Sequence, residues 1–267
     1  MLKKIKYLLP VFLVLFLYKN SFSAPGGVEF KFGFYKLTLN ISGTLKSGKT
    51  VYDVDRTFDM SNSSKDHFFV DIGLPILPNI KFESLPFNHK GDATVKIPID
   101  VGLFNIKINA YDRVKTRATF NRNYDLILYY DFTLPFMKPR IGVGAKYVKG
   151  EVYAKAEKLN KEDSSTVTSI LPMLYFGAES GVPLIPTFLS GYLDAEIRGI
   201  SYDNSFYLDA FGSVKLKLHL FQSSSGVFLG LGYRYWHLVL KNLPNGKADP
   251  QIDLVWRGVV GIFGLDF

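Results

Sequence analysis

The sequence alternates apolar and polar side chains with a period of two residues, which is the pattern of β-strands that have one apolar face. From Leu126 to Phe132 every second side chain is apolar or aromatic. The same alternation recurs near 141–147, 189–198, 213–220, 229–235 and 259–267. The opposite face carries charges and glycines, whereas a small soluble barrel would have an apolar interior. Many runs reach the ~9–11 residues with which a tilted strand crosses a bilayer, so the pattern favours an all-β, antiparallel up-and-down transmembrane barrel.

The first 23 residues predict a secretory signal peptide that is cleaved after Ser23, leaving residues 24–267 as the barrel. Three lysines precede the apolar run Tyr7–Tyr18, which is shorter than the ~20 residues of a membrane-spanning helix. An uncleaved N-terminal anchor is the alternative. Elsewhere no apolar run is long enough for such a helix.

Charge and cysteine content exclude several functions. Cleavage removes four of the 32 basic residues, so 28 remain against 24 acidic residues, a formal net charge of +4. No Lys/Arg run is left to follow a phosphate backbone, so we expect no nucleic-acid binding. The absence of cysteine excludes a disulfide scaffold and a catalytic thiol.

The alternation predicts about ten strands, with eight as the main alternative and twelve as a further one. Their starts lie near Val28, Thr57, Asn79, Thr116, Lys138, Val167, Thr187, Ser205, Val227 and Ile252. Tight turns are predicted at Pro75–Pro78, Pro135–Lys138, Pro183–Pro186 and Gln222–Gly226, and longer loops at Ser47–Asp66, Asn88–Lys115, Leu159–Ser165 and Asn242–Gln251. In the first strand the apolar parity changes between Phe34 and Leu37, which predicts a β-bulge near Tyr35–Lys36.

The inner face of the predicted barrel carries a charged network. It comprises Asp125, Asp131, Lys146, Glu179, Asp194, Glu196, Arg198, Asp209, Lys215, Lys217 and Arg234. Buried charges must be paired, and barrels near eight strands are filled by side chains. We therefore expect these charges to seal the lumen, with a narrow polar conduit as the alternative.

The last strand carries a predicted outer-membrane assembly signal. Phe263, Leu265 and Phe267 alternate on one face, and the terminal residue is aromatic. Behind a signal peptide and repeated amphipathic strands, this pattern predicts recognition by the barrel-assembly machinery.

The chain resembles a family of uncharacterised outer-membrane β-barrel proteins of Gram-negative bacteria. The matching stretches are Leu74–Ile80, Asp125–Tyr130, Pro172–Tyr175, Gly232–Arg234 and Gly264–Phe267. The likeness is thin between Ser84 and Asn123. It implies an outer-membrane barrel and no established activity.

Catalytic and metal-binding patterns are weak. None of His67, His89, His219 and His237 has a histidine partner at metal-ligand spacing. No Ser–His pair stands out on adjacent predicted strands, and no glycine-rich stretch has the context of a phosphate loop. We therefore expect no enzymatic activity, no metal and no cofactor.

Three functions stay open from the sequence. The first is a monomeric outer-membrane barrel, porin-like in form, with a role in envelope structure or in narrow passage of a small solute. The second is an adhesin or receptor that uses the loops Ser47–Asp66 and Asn88–Lys115. The third is a soluble secreted β-protein with an apolar ligand pocket. The first has outer-membrane lipid and the assembly machinery as its partners.

Overall fold

The computed structural model of the chain describes residues 28–47, 50–61, 63–95, 99–101, 106–202, 205–220, 225–240 and 251–267. The predicted signal peptide lies outside the described residues. So do most of the predicted loop Asn242–Gln251 and most of the predicted turn Gln222–Gly226.

The described residues form strands and one helical turn. The strands are β1 (Glu29–Ser47), β2 (Thr50–Asp53), β3 (Ser63–Gly73), β4 (Asn79–Ser84), β5 (Phe87–Thr94), β6 (Ile99–Val101), β7 (Ile106–Ile108), β8 (Arg113–Asp131), β9 (Lys138–Ala156), β10 (Lys161–Ile185), β11 (Leu189–Tyr202), β12 (Ser205–His219), β13 (Gly226–Leu240) and β14 (Gln251–Asp266), and the turn is α1 (Val54–Phe58). Among these residues, no helix has the length and apolar character needed to cross a membrane.

The sheet closes into an antiparallel barrel of ten strand positions. Neighbouring barrel strands pair in chain order, and β1 pairs with both β3 and β14. β4 and β5 fill one position because both pair with β8. Pro86 lies between them and lacks the N–H of a sheet ladder, while Leu85 N–H donates to the carbonyl of Asn123. The predicted fold and the strand count of ten are confirmed.

The two ends of the barrel differ in their connections. At one end, the turn end, β1 begins, β14 ends and short connections cover 74–78, 132–137 and 186–188. The opposite end is here called the loop end, and the long strands β8, β9 and β10 extend towards it. The predicted loop Leu159–Ser165 is wrong, because β10 already begins at Lys161. The predicted loop Asn88–Lys115 is also too long, because β5 pairs with β8 from Phe87 to Thr94.

The outer wall is apolar on every side of the barrel that the structure describes. Exposed large apolar side chains include Leu128 on β8, Val143 on β9 and Leu231 on β13, the last 69% exposed. These positions follow the predicted alternation. Exposed aromatic residues on this surface include Phe132, just after β8, and Tyr233 on β13.

The predicted β-bulge near Tyr35–Lys36 is wrong. β1 keeps one register with β14 and with β3 past this point. Tyr35 and Leu37 are both buried inside the barrel. The apolar parity changes because the interior itself becomes apolar towards the loop end, so no extra residue is needed.

Candidate functional site

The middle of the lumen contains a compact set of ionised side chains, here called the central cluster. Its members are Lys81, Glu83, Asp125, Lys146, Glu196, Arg198, Asp209 and Arg234, each at most 4% exposed. Four are basic and four are acidic, so the formal charges cancel. Period two brings them inward, since they share the side of their strands opposite to the exposed apolar residues.

Arg198 lies at the centre of this cluster. Its guanidinium contacts the carboxylates of Glu83 at 2.9 Å and Asp125 at 2.9 Å. It also contacts Glu196 at 3.2 Å and Asp209 at 3.4 Å. The planar guanidinium presents five N–H donors, which suits contact with several carboxylates. One cation therefore holds acidic groups from four different strands.

The ion pairs cross the lumen as well as following its wall. Arg234 on β13 contacts Asp209 on the adjacent β12 at 2.6 Å and Glu83 on β4 at 3.1 Å. β4 lies four strand positions from β13 in the closed sheet. This ion pair therefore joins strands on nearly opposite walls of the barrel.

A second charged set, the turn-end layer, fills the lumen between the central cluster and the turn end. It comprises Lys31, Asp71, Arg140, Glu179, Asp194, Lys215, Lys217 and Asp266. Arg140 contacts Glu179 at 2.9 Å and Asp194 at 3.2 Å, and Lys215 contacts Asp194 at 2.8 Å. The free space among these side chains is about 40 Å³, room for a few water molecules. The larger hollows lie on the outer wall, beside Gly261 and Gly212.

An apolar layer lies in the lumen on the loop-end side of the central cluster. The rings of Phe87, Trp236 and Trp256 lie 5.4–6.0 Å apart. Leu37, Leu39 and Ile41 belong to the same buried group. The ammonium of Lys146 lies 4.5 Å from the centre of the Trp236 ring, a cation–π contact that joins the charged and apolar layers.

The segment after β2 folds inward and adds to this apolar layer. α1 places Val54 and Phe58 in the interior, at 2% and 4% exposure. Its position depends on Gly91 of β5, because a Cβ there would lie 2.2 Å from the carbonyl oxygen of Phe58. The backbone N–H of Ser61 donates to the carbonyl of Lys90. Part of the predicted loop Ser47–Asp66 is therefore packed inside the barrel mouth.

The structure places ten of the eleven predicted lumen residues among these ion pairs. Asp131 is the exception: it ends β8 as an exposed residue at the turn end, and it has no ion pair with a described residue. The sequence reasoning missed six members of the two charged sets: Lys31, Asp71, Lys81, Glu83, Arg140 and Asp266. Parity could have found Arg140, since it continues the inward series of Gly142, Gly144 and Lys146.

The expectation that no Ser–His pair lies on adjacent strands is wrong. Ser190 Oγ on β11 and His219 Nε2 on β12 are 2.7 Å apart near the turn end. Within the described residues, no carboxylate contacts the His219 ring to orient it as a catalytic base would require. The described residues also contain no group of three or more metal-ligating side chains.

The predicted assembly-signal residues lie on β14 and just beyond it. Phe263 is 47% exposed on the outer wall. Leu265 is opposite Phe32 of β1. Phe267 continues the ladder through its backbone, which exchanges hydrogen bonds of 2.9 and 3.1 Å with Phe30.

Beyond the apolar outer surface, the loop end has a polar exterior. Arg113 donates two hydrogen bonds of 2.7 Å to Asp92 and thereby lowers the pKa of that carboxyl. Lys115 donates to Glu157 and lowers its pKa likewise. Both pairs are exposed, so they contribute little stability.

Comparison with known proteins finds likeness at the level of the fold. No protein-family model matches the chain, and no curated protein matches it. The translocator domain of the autotransporter NalP from Neisseria meningitidis aligns over 91% of both chains, with 10% identity and a TM-score of 0.41. The outer-membrane protein OprG from Pseudomonas aeruginosa aligns over 91% of this chain and 96% of its own, with 14% identity and a TM-score of 0.31. A FadL homologue from the same organism covers 90% of each chain, with 6% identity and a TM-score of 0.33.

The chain is thus similar in fold to these outer-membrane proteins. At this level of similarity only the barrel architecture is shared, and no activity follows from it.

Proposed function

We propose that this chain is an integral outer-membrane β-barrel with a sealed lumen and a role in envelope structure. This proposal rests on the distribution of polarity in the barrel. The outer wall is apolar and paired ions fill the interior, which is the reverse of a soluble barrel. Large apolar side chains such as Leu231 would face water in a soluble protein at a high cost. They face lipid at no such cost.

The interior supports a sealed barrel more than a path for solutes. The central cluster crosses the lumen, and the apolar layer lies on its loop-end side. A solute that passed through the lumen would have to separate buried ion pairs. Each separated pair would leave two buried charges without a partner, which is energetically costly. The proposal assigns the chain no enzymatic role, because the ionised groups of the interior are occupied with one another.

The length of three strands favours surface display as a second candidate function. β8 and β9 have 19 residues each and β10 has 25, well beyond the ~9–11 that cross a bilayer. Their loop-end halves would stand outside the membrane as a polar sheet. Such a sheet offers a platform for an adhesin or receptor.

The location is tested by fractionation of cells that express the full chain. We expect the protein in the outer-membrane fraction, with a gel mobility that shifts on boiling because the folded barrel resists detergent. Recovery in the soluble periplasmic fraction would contradict the proposal. The display role is tested by deleting residues 157–160, the tip of the β9–β10 hairpin. If cells that carry the protein adhere to other cells, unchanged adhesion after this deletion would count against the display role.

A further inference from the structure

The outward face of β8, β9 and β10 changes from apolar to cationic within one step of the sheet. Tyr124, Tyr147 and Ile170 are register partners in one row, here called the aromatic row. The next outward row towards the loop end is Arg122 and Lys149 with Thr168, here called the cationic row. All three of its members are exposed. Towards the turn end the outward rows are Leu126, Ala145 and Pro172, then Leu128, Val143 and Leu174.

A β-bulge in β8 shapes the cationic row. The β8–β9 register shifts between Thr119 and Arg122. Phe120 turns inward, where its ring stacks on Phe87 at 4.6 Å. Asn121 and Arg122 are both exposed. Bulges redirect side chains, and this one adds an amide beside the guanidinium.

The two cations of this row lack anionic partners among the described residues. Other basic residues on the same sheet have them: Arg117 lies 3.9 Å from Glu151, and Lys115 pairs with Glu157. Arg122 and Lys149 are directly opposite one another on antiparallel strands. Like charges in such positions destabilise a sheet, so an anion between them would remove a repulsion as well as add attraction.

We propose that Arg122 and Lys149 bind the phosphate of a lipid headgroup in the membrane leaflet at the loop end. The guanidinium suits bidentate contact with phosphate oxygens, and the ammonium adds a point charge. The acyl chains would lie along Tyr124 and Tyr147, whose rings stack at 6.4 Å, and then over the apolar rows. This inference rests on the proposed membrane location.

The height of the cationic row fits this role. Arg122 lies about 23 Å from the level of Asp131 at the turn end, at ~3.3 Å per residue and a strand tilt of ~40°. The apolar band of an outer-membrane barrel is ~25 Å tall. The row therefore coincides with the level of the headgroups.

The test measures lipid selectivity at the barrel surface. The full-length protein is reconstituted into phosphatidylcholine vesicles, and electron spin resonance gives the association of spin-labelled phosphatidic acid relative to spin-labelled phosphatidylcholine. The test variant is Arg122→Gln/Lys149→Gln. The control variant, Lys115→Gln/Arg117→Gln, removes the same charge from paired positions on the same sheet.

We expect the wild type to prefer phosphatidic acid, and the test variant to lose about fivefold in selectivity for each cation removed. The control should keep the preference. Equal selectivity of wild type and test variant, or an equal loss in the control, would overturn the lipid site. Loss of the wild-type preference on adding inorganic phosphate, but not on adding sodium chloride to the same ionic strength, would assign the site to free phosphate and also overturn it.

The same experiment distinguishes failure of the proposed membrane location from failure of the lipid site. A wild type that shows no boiling-dependent mobility shift in the vesicles has not inserted, which would contradict the membrane barrel itself. A protein that inserts without lipid selectivity would contradict only the lipid site.

Discussion

The ammonium of Lys81 on β4 lies 2.6 Å from a carboxylate oxygen of Glu196 on β11, although four strand-to-strand steps along the wall separate the two strands. This ion pair therefore connects two walls of the barrel across the lumen. Both side chains are nearly inaccessible, at 4% and 1% exposure. The central cluster therefore acts as the core of the barrel, and its stability depends on complete pairing.

Glu83→Gln should destabilise the barrel by about 3–5 kcal/mol. The substitution removes the carboxylate that Lys81, Arg198 and Arg234 share, and it leaves one buried positive charge in excess. The measurement is the free energy of unfolding in urea, with the protein in lipid vesicles. The control is Glu162→Gln, since Glu162 is 59% exposed and should cost less than ~1 kcal/mol. Equal costs would show that the cluster is hydrated.

Leu128→Arg should cost about 2–4 kcal/mol, because Leu128 lies on the outward face within the apolar band. Thr166→Arg places the same side chain on the outward face of β10, beyond the cationic row, where the cost should be ~0–1 kcal/mol. Unfolding in lipid vesicles compares the two. A similar cost for both variants would mean that the band does not face lipid.

Gly91→Ala should loosen α1 without opening the barrel. The added methyl group would lie 2.2 Å from the carbonyl oxygen of Phe58 and 2.5 Å from the hydroxyl of Thr116, so the inward segment must move. Limited proteolysis of the reconstituted protein should then cut within residues 50–61 faster than in the wild type. Gly261→Ala is the control, because a methyl group there has only one neighbouring atom, at 3.9 Å. Unchanged cleavage of Gly91→Ala would show that α1 is not held by this contact.

Phe267→Ala and deletion of Phe267 should both lower the fraction of assembled barrel, if the terminal aromatic ring is what the assembly machinery reads. Only the deletion removes the two backbone hydrogen bonds to Phe30. Heat-modifiable protein in the outer membrane measures assembly, and unfolding of purified protein measures stability. Normal assembly of the alanine variant would contradict the ring as the signal.

Period-two alternation was enough to predict the barrel and most strand starts, because outward and inward environments differ sharply along β8, β9 and β13. It failed in β1, where Leu37 and Leu39 are inward and apolar. A pattern based on polarity assumes one kind of interior, whereas this lumen is charged in one half and apolar in the other. The alternation of inward and outward side chains was predicted correctly. The assumption that every inward side chain is polar was wrong.

The pairing inside the lumen was less accessible to sequence reasoning. Glu83 lies in β4, a strand of six residues that is too short for its alternation to stand out. Its partner Arg198 is far away in the chain and is reached only across the closed barrel. The inward packing of α1 was also hidden, because Val54 and Phe58 occur in a segment that otherwise has the composition of a loop.

The most direct test of the sealed lumen is the conductance of the wild-type protein in a planar bilayer, on protein whose insertion is established by its mobility shift on boiling. The ion pairs that cross the lumen and the apolar layer above them predict no conductance steps above the bilayer background. Regular, ohmic steps of the size that wide porins give would contradict a sealed barrel.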